Sequence, residues 1–385
     1  MGWCRRFAGV VAVVLALTAA GGSPDSRIVR VSVDSAGGQA EDFDAVPPDF
    51  ARGSWRALVS GSGRYVAFAS NAADLVPGPD TDGAGDAFVH DLRSGRTEPV
   101  GIPGEPADAL TEPADISRDG RFVLVISNLH LYLRDRKRDR TARLGPSDAT
   151  IFEAALSADG RRVAYQAAAP FGPGRAYLTD LRAGTTELVG IGPSGEPVET
   201  YGGLALSGDG YTVAFGANAT PNSTVFVRDL RTGVTRLISS DDAGGPAFTY
   251  DGREVAYSTG GGIPFGHIEV ADTATGQVVA SVPRAGDAAL SADGRYLSFF
   301  DAADGLTPFP GEVELAQSVY RLDRRTGTIL RVSVNQAGGQ PNNGSFFADI
   351  SDDGRTVAFS SAASDLVPGD TNEVEDVFAR HISGH

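Results

Sequence analysis

The sequence is poor in the residues that most readily build a chemical site. Its one cysteine, Cys4, lies ahead of an N-terminal apolar stretch. A chain cleaved after that stretch keeps no cysteine, which excludes disulfides, thiolate nucleophiles and cysteine-ligated metals. The five histidines, His90, His130, His267, His381 and His385, are widely separated, and none pairs with another at metal-ligand spacing. There is no G-x-S-x-G elbow, no H-E-x-x-H pair and no G-x-x-x-x-G-K-[ST] loop. Positive charge is scarce as well. Lys and Arg total 33 against 49 Asp and Glu, a net charge of −16. That balance disfavours nucleic acid and anionic membrane surfaces as partners, because both need a basic surface. It suits cation binding and solubility outside the cell.

What is present begins with a secretory signature. Arg5 and Arg6 supply a positive n-region. "FAGVVAVVLALTAA" supplies an apolar core too short to span a bilayer, and Thr18 to Gly22 are small residues suited to cleavage. The expectation is a signal peptide over 1–22, a mature chain that is secreted into the periplasm or medium, and no membrane insertion after cleavage. Length alone suggests two or three domains for 385 residues. The 49 glycines, roughly twice the average share, point instead to many short strands and turns.

The dominant feature is a repeat. "SGSGRYVAF" at Ser60 returns at Ser117, Ser157, Ser207, Thr249, Ser291 and Ser351, as in "SADGRRVAY" and "SDDGRTVAF". The spacing of roughly 40 to 60 residues is that of propeller repeats. An apolar segment precedes each copy and a β-branched, aromatic one follows, with Asp-Gly suited to the hairpin between them. A third strand, such as "STVFVRDL", a second turn, such as "RTGV", and a fourth strand, "VTRLIS" (Val234–Ser239), complete each unit. Strand cores such as "VAF" are apolar at consecutive positions, so both faces of the meander need cover. Radial packing supplies it. The expected fold is all-β: a seven-bladed β-propeller of four-stranded antiparallel blades, one domain over 23–385.

The chain ends support this. The last unit stops at "DVFARHISGH", without a fourth strand. "RIVRVSVDSAGGQAED" from Arg27 closely resembles "TILRVSVNQAGGQPNN" from Thr328, which is the fourth-strand region of the sixth unit. The N-terminal strand is therefore expected to complete the last blade and remove an open edge.

The S-x-D-G-[RK]-x-[VI]-A-[FY] pattern resembles the PD40, or WD40-like, repeats of the TolB-type β-propellers. The resemblance covers nearly all the mature chain and implies the fold. TolB carries an α/β domain ahead of its propeller, and nothing of that kind fits between residues 23 and 50. Similar propellers precede the catalytic domain of prolyl oligopeptidase-type peptidases, and no hydrolase domain follows here. The nearer resemblance is to secreted bacterial proteins made only of such repeats, with "DLVPGDTN…DVF" segments.

Four groups of residues invite a functional reading. The repeated Ser-x-Asp-Gly-Arg set is read as a turn: Ser and Asp bond backbone amides, and Arg pairs with a nearby acid. His90 and His381 are read as equivalent, solvent-exposed positions near the third-strand turn. The first and last units alone share D-T-[DN]-x-x-x-D: Asp80, Asp82 and Asp86, then Asp370, Asn372 and Asp376. Alternating oxygen donors in a tight loop suit a hard cation such as Ca²⁺, and ring closure is expected to set the two loops side by side. Two residues before the motif Ser, Asp115 and Asp349 stand where other units have small or apolar residues. They are expected to face the channel and bond a neighbouring blade's backbone or water. The functional reading is a non-catalytic, monomeric, secreted or envelope binding propeller for a protein, peptide or glycan. The alternative is a hydrolase or lyase with residues from several blades at the channel mouth.

Overall fold

The computed structural model describes residues 27–40, 53–77, 84–104, 109–169, 172–218, 223–239, 243–260, 266–301 and 317–383. The expected signal segment lies outside them. The described strands form seven four-stranded antiparallel sheets, and no helix occurs among the described residues. The chain is a seven-bladed β-propeller. Six sheets use four consecutive strands. The last pairs the N-terminal strand Ile28–Arg30 with Asp376–His381, in the register Ile28↔Arg380, Val29↔Ala379 and Arg30↔Phe378. The expected closure is therefore present.

The repeat motif folds alike in the seven blades, except that Ser62 stands in for the Asp in the first, 3.1 Å from Ser60 Oγ. The motif hydroxyl donates to the Asp two residues on, as Ser157 Oγ does to Asp159 Oδ1 at 2.8 Å and Ser351 Oγ to Asp353 Oδ1 at 2.7 Å. It also accepts the amide five residues on, as from Arg162 and Thr356. The Asp accepts the amide after the glycine, which itself takes a φ of +70° at Gly160. In three blades the Arg after the glycine pairs with the acid ending the third strand, Arg64 with Asp91, Arg121 with Asp135 and Arg295 with Asp323, at 2.6–2.7 Å, whereas Arg161 and Arg253 pair with the motif acids Asp159 and Asp251. The first three guanidiniums hold their carboxyls below the usual carboxylate range, against the opposing effect of burial.

Two rings of contact close on themselves at this face. The residue after each motif hydroxyl, or in two blades the next one, donates its amide to the following blade's turn. The chain runs from Ser62 to Arg118, Ala158, Gly208, then Asp209 to Tyr250, Ala292 and Asp352, and returns from Asp352 to Gly61, all at 2.9–3.0 Å. Each motif glycine also seats a side chain of the blade before it. A Cβ at Gly120 would lie 2.1 Å from the Tyr65 ring, one at Gly160 2.2 Å from Phe122, and one at Gly63 2.8 Å from Thr356 Oγ1 of the last blade. The glycine is thus needed twice, for the turn and for the neighbour. The sequence reading found only the first need.

Between blades the packing is apolar. Val66 and Phe68 of the first blade cluster with Ala358, Val377 and Ala379 of the last and with Val31, just after the N-terminal strand. Stacked pairs such as Phe68–Phe88 and Phe359–Phe378 link the second and third strands, with ring centroids 5.7 and 5.8 Å apart. Consecutive apolar positions are therefore covered on both sheet faces, as the strand composition demands.

Candidate functional site

The first strand of each blade lines the central channel, and it starts at the face carrying the loops between second and third strands. Ser54 N bonds Glu375 O, Thr111 N bonds Gly85 O and Ser345 N bonds Gln317 O, each joining an inner-strand start to the previous blade's loop. The channel thus runs from this loop face to the turn face.

Near the loop face every inner strand is irregular, with a shift in register against the second strand. Such bulges re-aim side chains. Four residues before the motif hydroxyl, three consecutive blades place a non-glycine residue in the left-handed region: Asp287 (φ 47°), Phe347 (φ 53°) and Arg56 (φ 59°). Gly203 and Gly245 occupy the same register with positive φ in two others. Phe347 is 51% exposed, and Phe152 and Tyr201, in the bulged stretches of two further blades, are 54% and 48% exposed. Glu112 binds both Trp55 Nε1 at 2.7 Å and Arg56 at 3.1 Å. The mouth therefore carries exposed rings, one neutralised arginine and the Asp287 carboxyl, whose pKa is raised by burial.

Asp115 and Asp349 lie deeper, as expected, and both bond the neighbouring blade. Asp349 accepts from Val59 N of the first blade and from its own Ile350 N, at 2.8 Å each. Asp115 accepts from Leu156 N of the third blade and from Ile116 N, at 2.7 Å. Burial pushes Asp115 up to about 6 and Asp349 to about 7, and Asp115 and Asp352 add repulsion at Asp349. At the turn face, Arg118 Nε meets Asp352 Oδ2 at 2.8 Å, and its guanidinium lies 5.7 Å from the Tyr250 ring centroid. These groups come from the second, seventh and fifth blades and reach across the axis.

Of the acidic loops, Asp80 and Asp82 lie outside the described residues. Asp86 is exposed at the start of its strand. In the last loop the Arg30 guanidinium, from the N-terminal strand, sits 3.3 Å from Asp370 Oδ2 and 3.5 Å from Asp376 Oδ2. Asp376 also accepts from Ser32 Oγ at 2.6 Å, and Asn372 Nδ2 donates to Ala40 O at 3.1 Å. Burial raises Asp370 and brings Asp376 to about 6, with Arg30 opposing in both. The loop is thus organised around a cation supplied by the chain itself. Among the described residues no three His, Cys, Asp or Glu gather as a metal-binding group.

The histidine reading needs correction. Register pairs Val66 with His90 but Val357 with Arg380 and Thr356 with His381. His90 therefore matches Arg380, and His381 takes the place of Asp91. His90 is buried, its Nδ1 2.9 Å from Thr97 Oγ1, and burial lowers its pKa. A constellation the sequence hid is Tyr257–Glu269–His267: Tyr257 OH donates to Glu269 Oε2 at 2.7 Å, and Glu269 Oε1 lies 3.4 Å from His267 Nε2. It spans two strands, and only their pairing brings the three together.

No protein-family profile matches the chain, and no curated protein matches it. Solved structures do. An oligogalacturonate lyase in complex with manganese covers 93% of this chain and 98% of its own, with 13% identity and a TM-score of 0.60. A chain of a mitotic checkpoint complex covers 97% and 99%, with 16% identity and a TM-score of 0.54. A putative TolB from Agrobacterium tumefaciens covers 77% and 97%, with 17% identity and a TM-score of 0.46. At these identities the likeness is one of fold: the chain shares its propeller architecture with a lyase and with a protein of a multi-subunit assembly.

Proposed function

We propose that this is a non-catalytic binding propeller, exported by its N-terminal segment, that holds a protein, peptide or glycan at the loop-face mouth of its channel. The supporting observation is the arc Asp287–Phe347–Arg56. Three consecutive blades hold a non-glycine residue in a left-handed conformation at one register, and each such residue costs about 1–2 kcal/mol. Backbone strain of this kind concentrates at functional sites, and an exposed phenylalanine at its centre is a stacking platform. Probing peptide and glycan arrays with the protein and with Phe347→Ala tests this. The expected result is a ligand class retained by the first and lost by the second. Identical patterns for both would remove the mouth as the site.

Calcium stabilisation through Asp80, Asp82 and Asp86, with Asp370, Asn372 and Asp376, belongs to the same proposal. An unchanged melting temperature between excess Ca²⁺ and EDTA, with no heat on titration, would remove it. The enzyme reading draws on the lyase whose fold this chain shares. Cleavage of oligogalacturonate with manganese present, lost in Asp287→Ala, would replace binding with catalysis.

A further inference from the structure

We infer that the outer edge of the fifth blade is a self-association edge, on which a second copy of this chain pairs antiparallel, Val278–Pro283 against Val278–Pro283. This stands apart from the channel mouth and replaces the monomer expected from the sequence.

A propeller leaves the outer strand of each blade with one unpaired row of backbone N–H and C=O groups. Such a row pairs with any strand that reaches it, so outer strands are kept short or charged. Six of the seven outer strands follow that rule. Ile28–Arg30, Arg96–Pro99, Thr185–Leu188 and Thr328–Arg331 have three or four residues. Arg140–Leu144 carries two arginines, and Val234–Ser239 carries Arg236. Val278–Pro283 breaks the rule. It has six residues, reads VVASVP and contains no charge. Its one guarding residue is Pro283, at the far end. It is the last strand of its sheet, and no further strand pairs with it among the described residues.

The exposed side chains suit an apolar contact. Val278 and Val279 are 47% and 49% exposed. They are consecutive, and both face outward where the register against the third strand skips Val279, pairing Ala271 with Val278 and Val270 with Ala280. Ser281 is exposed too and adds no charge. The patch continues onto the fourth blade. A Cβ at Gly276, in the turn before this strand, would lie 3.9 Å from Leu237 O, and the Leu237 side chain is itself exposed. β-branched side chains of this kind pack well across paired strands.

The free backbone row names a β-strand as the occupant, and charge names which strand. Each chain carries a net charge of −16, so two copies repel over most of their surfaces. At an uncharged edge they meet without like charges directly opposite, which is what destabilises a strand pair. The same edge offers no charge by which to select a foreign strand. A two-fold through it sets the same residues of both copies against one another and closes after two chains. One strand pair buries less than about 1,200 Å², the range of weak association. The pair therefore forms at high concentration and separates on dilution.

Sedimentation of the protein over about a hundredfold range of concentration tests this. The average mass should climb from one chain toward two and level there. Val279→Lys and Ser281→Lys, both at exposed positions, should each weaken association about tenfold or more, with melting temperature unchanged. Val29→Lys, at an exposed position of another outer edge, should leave association intact. A single-chain mass at every concentration would overturn the inference, as would association indifferent to both edge lysines. Growth past two chains would overturn the closed pair. A synthetic peptide of residues 277–283 probes for a foreign strand. It should compete with the second copy and lower the mass. Binding of that peptide by a chain that never pairs with itself would assign the edge to another protein's strand and overturn the copy.

Discussion

The two ends of the channel are built from the same seven strands yet behave differently. At the turn face six blades repeat one set of bonds, hydroxyl to Asp, Asp to amide and amide to the next turn, and the first differs only in carrying Ser62 for the Asp. At the loop face the blades diverge, although the fourth and fifth both place a glycine of positive φ at one register. Inner-strand bulges differ in length, and the residue at one register is Arg56, Pro113, Glu153, Gly203, Gly245, Asp287 or Phe347. Repetition there would be as easy to encode as at the turn face. The difference indicates that closure is carried by what the blades share and ligand choice by what they do not.

The comparison is broken most severely by opening the ring. A variant lacking residues 27–40 loses the fourth strand of the last blade, the buried Ile28 and Val31, and the Arg30 guanidinium between Asp370 and Asp376. Two such side chains contribute about 1.5–3 kcal/mol each, and stranding buried carboxylates costs about 3–5 kcal/mol more. The total is of the order of a whole domain's stability, about 5–15 kcal/mol. No cooperative melt is expected by circular dichroism. A melt within a few degrees of the parent would show that the other six blades close without it.

Next comes the motif glycine, which separates the two kinds of turn. Gly120 and Gly95 share a φ near +70°, but a Cβ at Gly120 would strike the Tyr65 ring at 2.1 Å, whereas Gly95 meets nothing within 4 Å. Gly95→Ala therefore carries only the left-handed penalty, about 1–2 kcal/mol. Gly120→Ala adds overpacking of about 1–3 kcal/mol. Urea unfolding of both should rank them so; equal losses would reduce the glycine to its turn role.

How much of this was legible follows from the same contrast. The hairpins, the blade count and the N-terminal closure were readable because seven copies average out local noise, and because "RIVRVSV" matches "TILRVSV" at the missing strand. Asp115 and Asp349 were readable as breaks in a repeated apolar position. The glycine's second role was not, since its neighbour lies a full blade away. Neither was the mouth. Arg56, Phe347 and Asp287 share no residue type, and only the bulges reveal that they share a register. Arg30 was passed over for a simpler reason: nothing in "RIVRVSV" says its side chain will reach two carboxylates over 300 residues later.

A smaller effect comes from acids that the closed ring buries. Asp349 and Glu375 are raised to about 7, and Asp115 and Asp376 to about 6, in each case first by burial. Their unfolded values lie near 4, so the folded chain holds more protons between about pH 4 and pH 7. Their contribution to stability is greatest at the acid end of that window and falls as pH rises through it. Asp91, Asp135 and Asp323, held low by arginines, work the other way and matter only as pH drops below about 4. Melting temperature should therefore decline from pH 5 to pH 8, and Asp349→Asn should flatten the decline. A higher melting point at pH 8 would show that these acids ionise freely in the fold.

The smallest expected effect is the sharpest for the mouth. Asp287 has a φ of 47°, with burial the one cause acting on its carboxyl. If the residue is there for a ligand, the backbone would be more comfortable without it. Asp287→Gly removes a left-handed penalty of about 1–2 kcal/mol and returns part of it as unfolded-chain entropy. A net gain of about 0.5–1 kcal/mol is expected by urea unfolding, together with weaker binding of the ligand class that the arrays identify. The same change at the turn face, Asp159→Gly, has no strain to relieve and loses the bonds to Ser157 and Arg161, so it should destabilise. Opposite signs at the two ends of one channel would separate residues kept for the fold from residues kept at its expense. A loss at Asp287 as well would make the mouth one more piece of the ring.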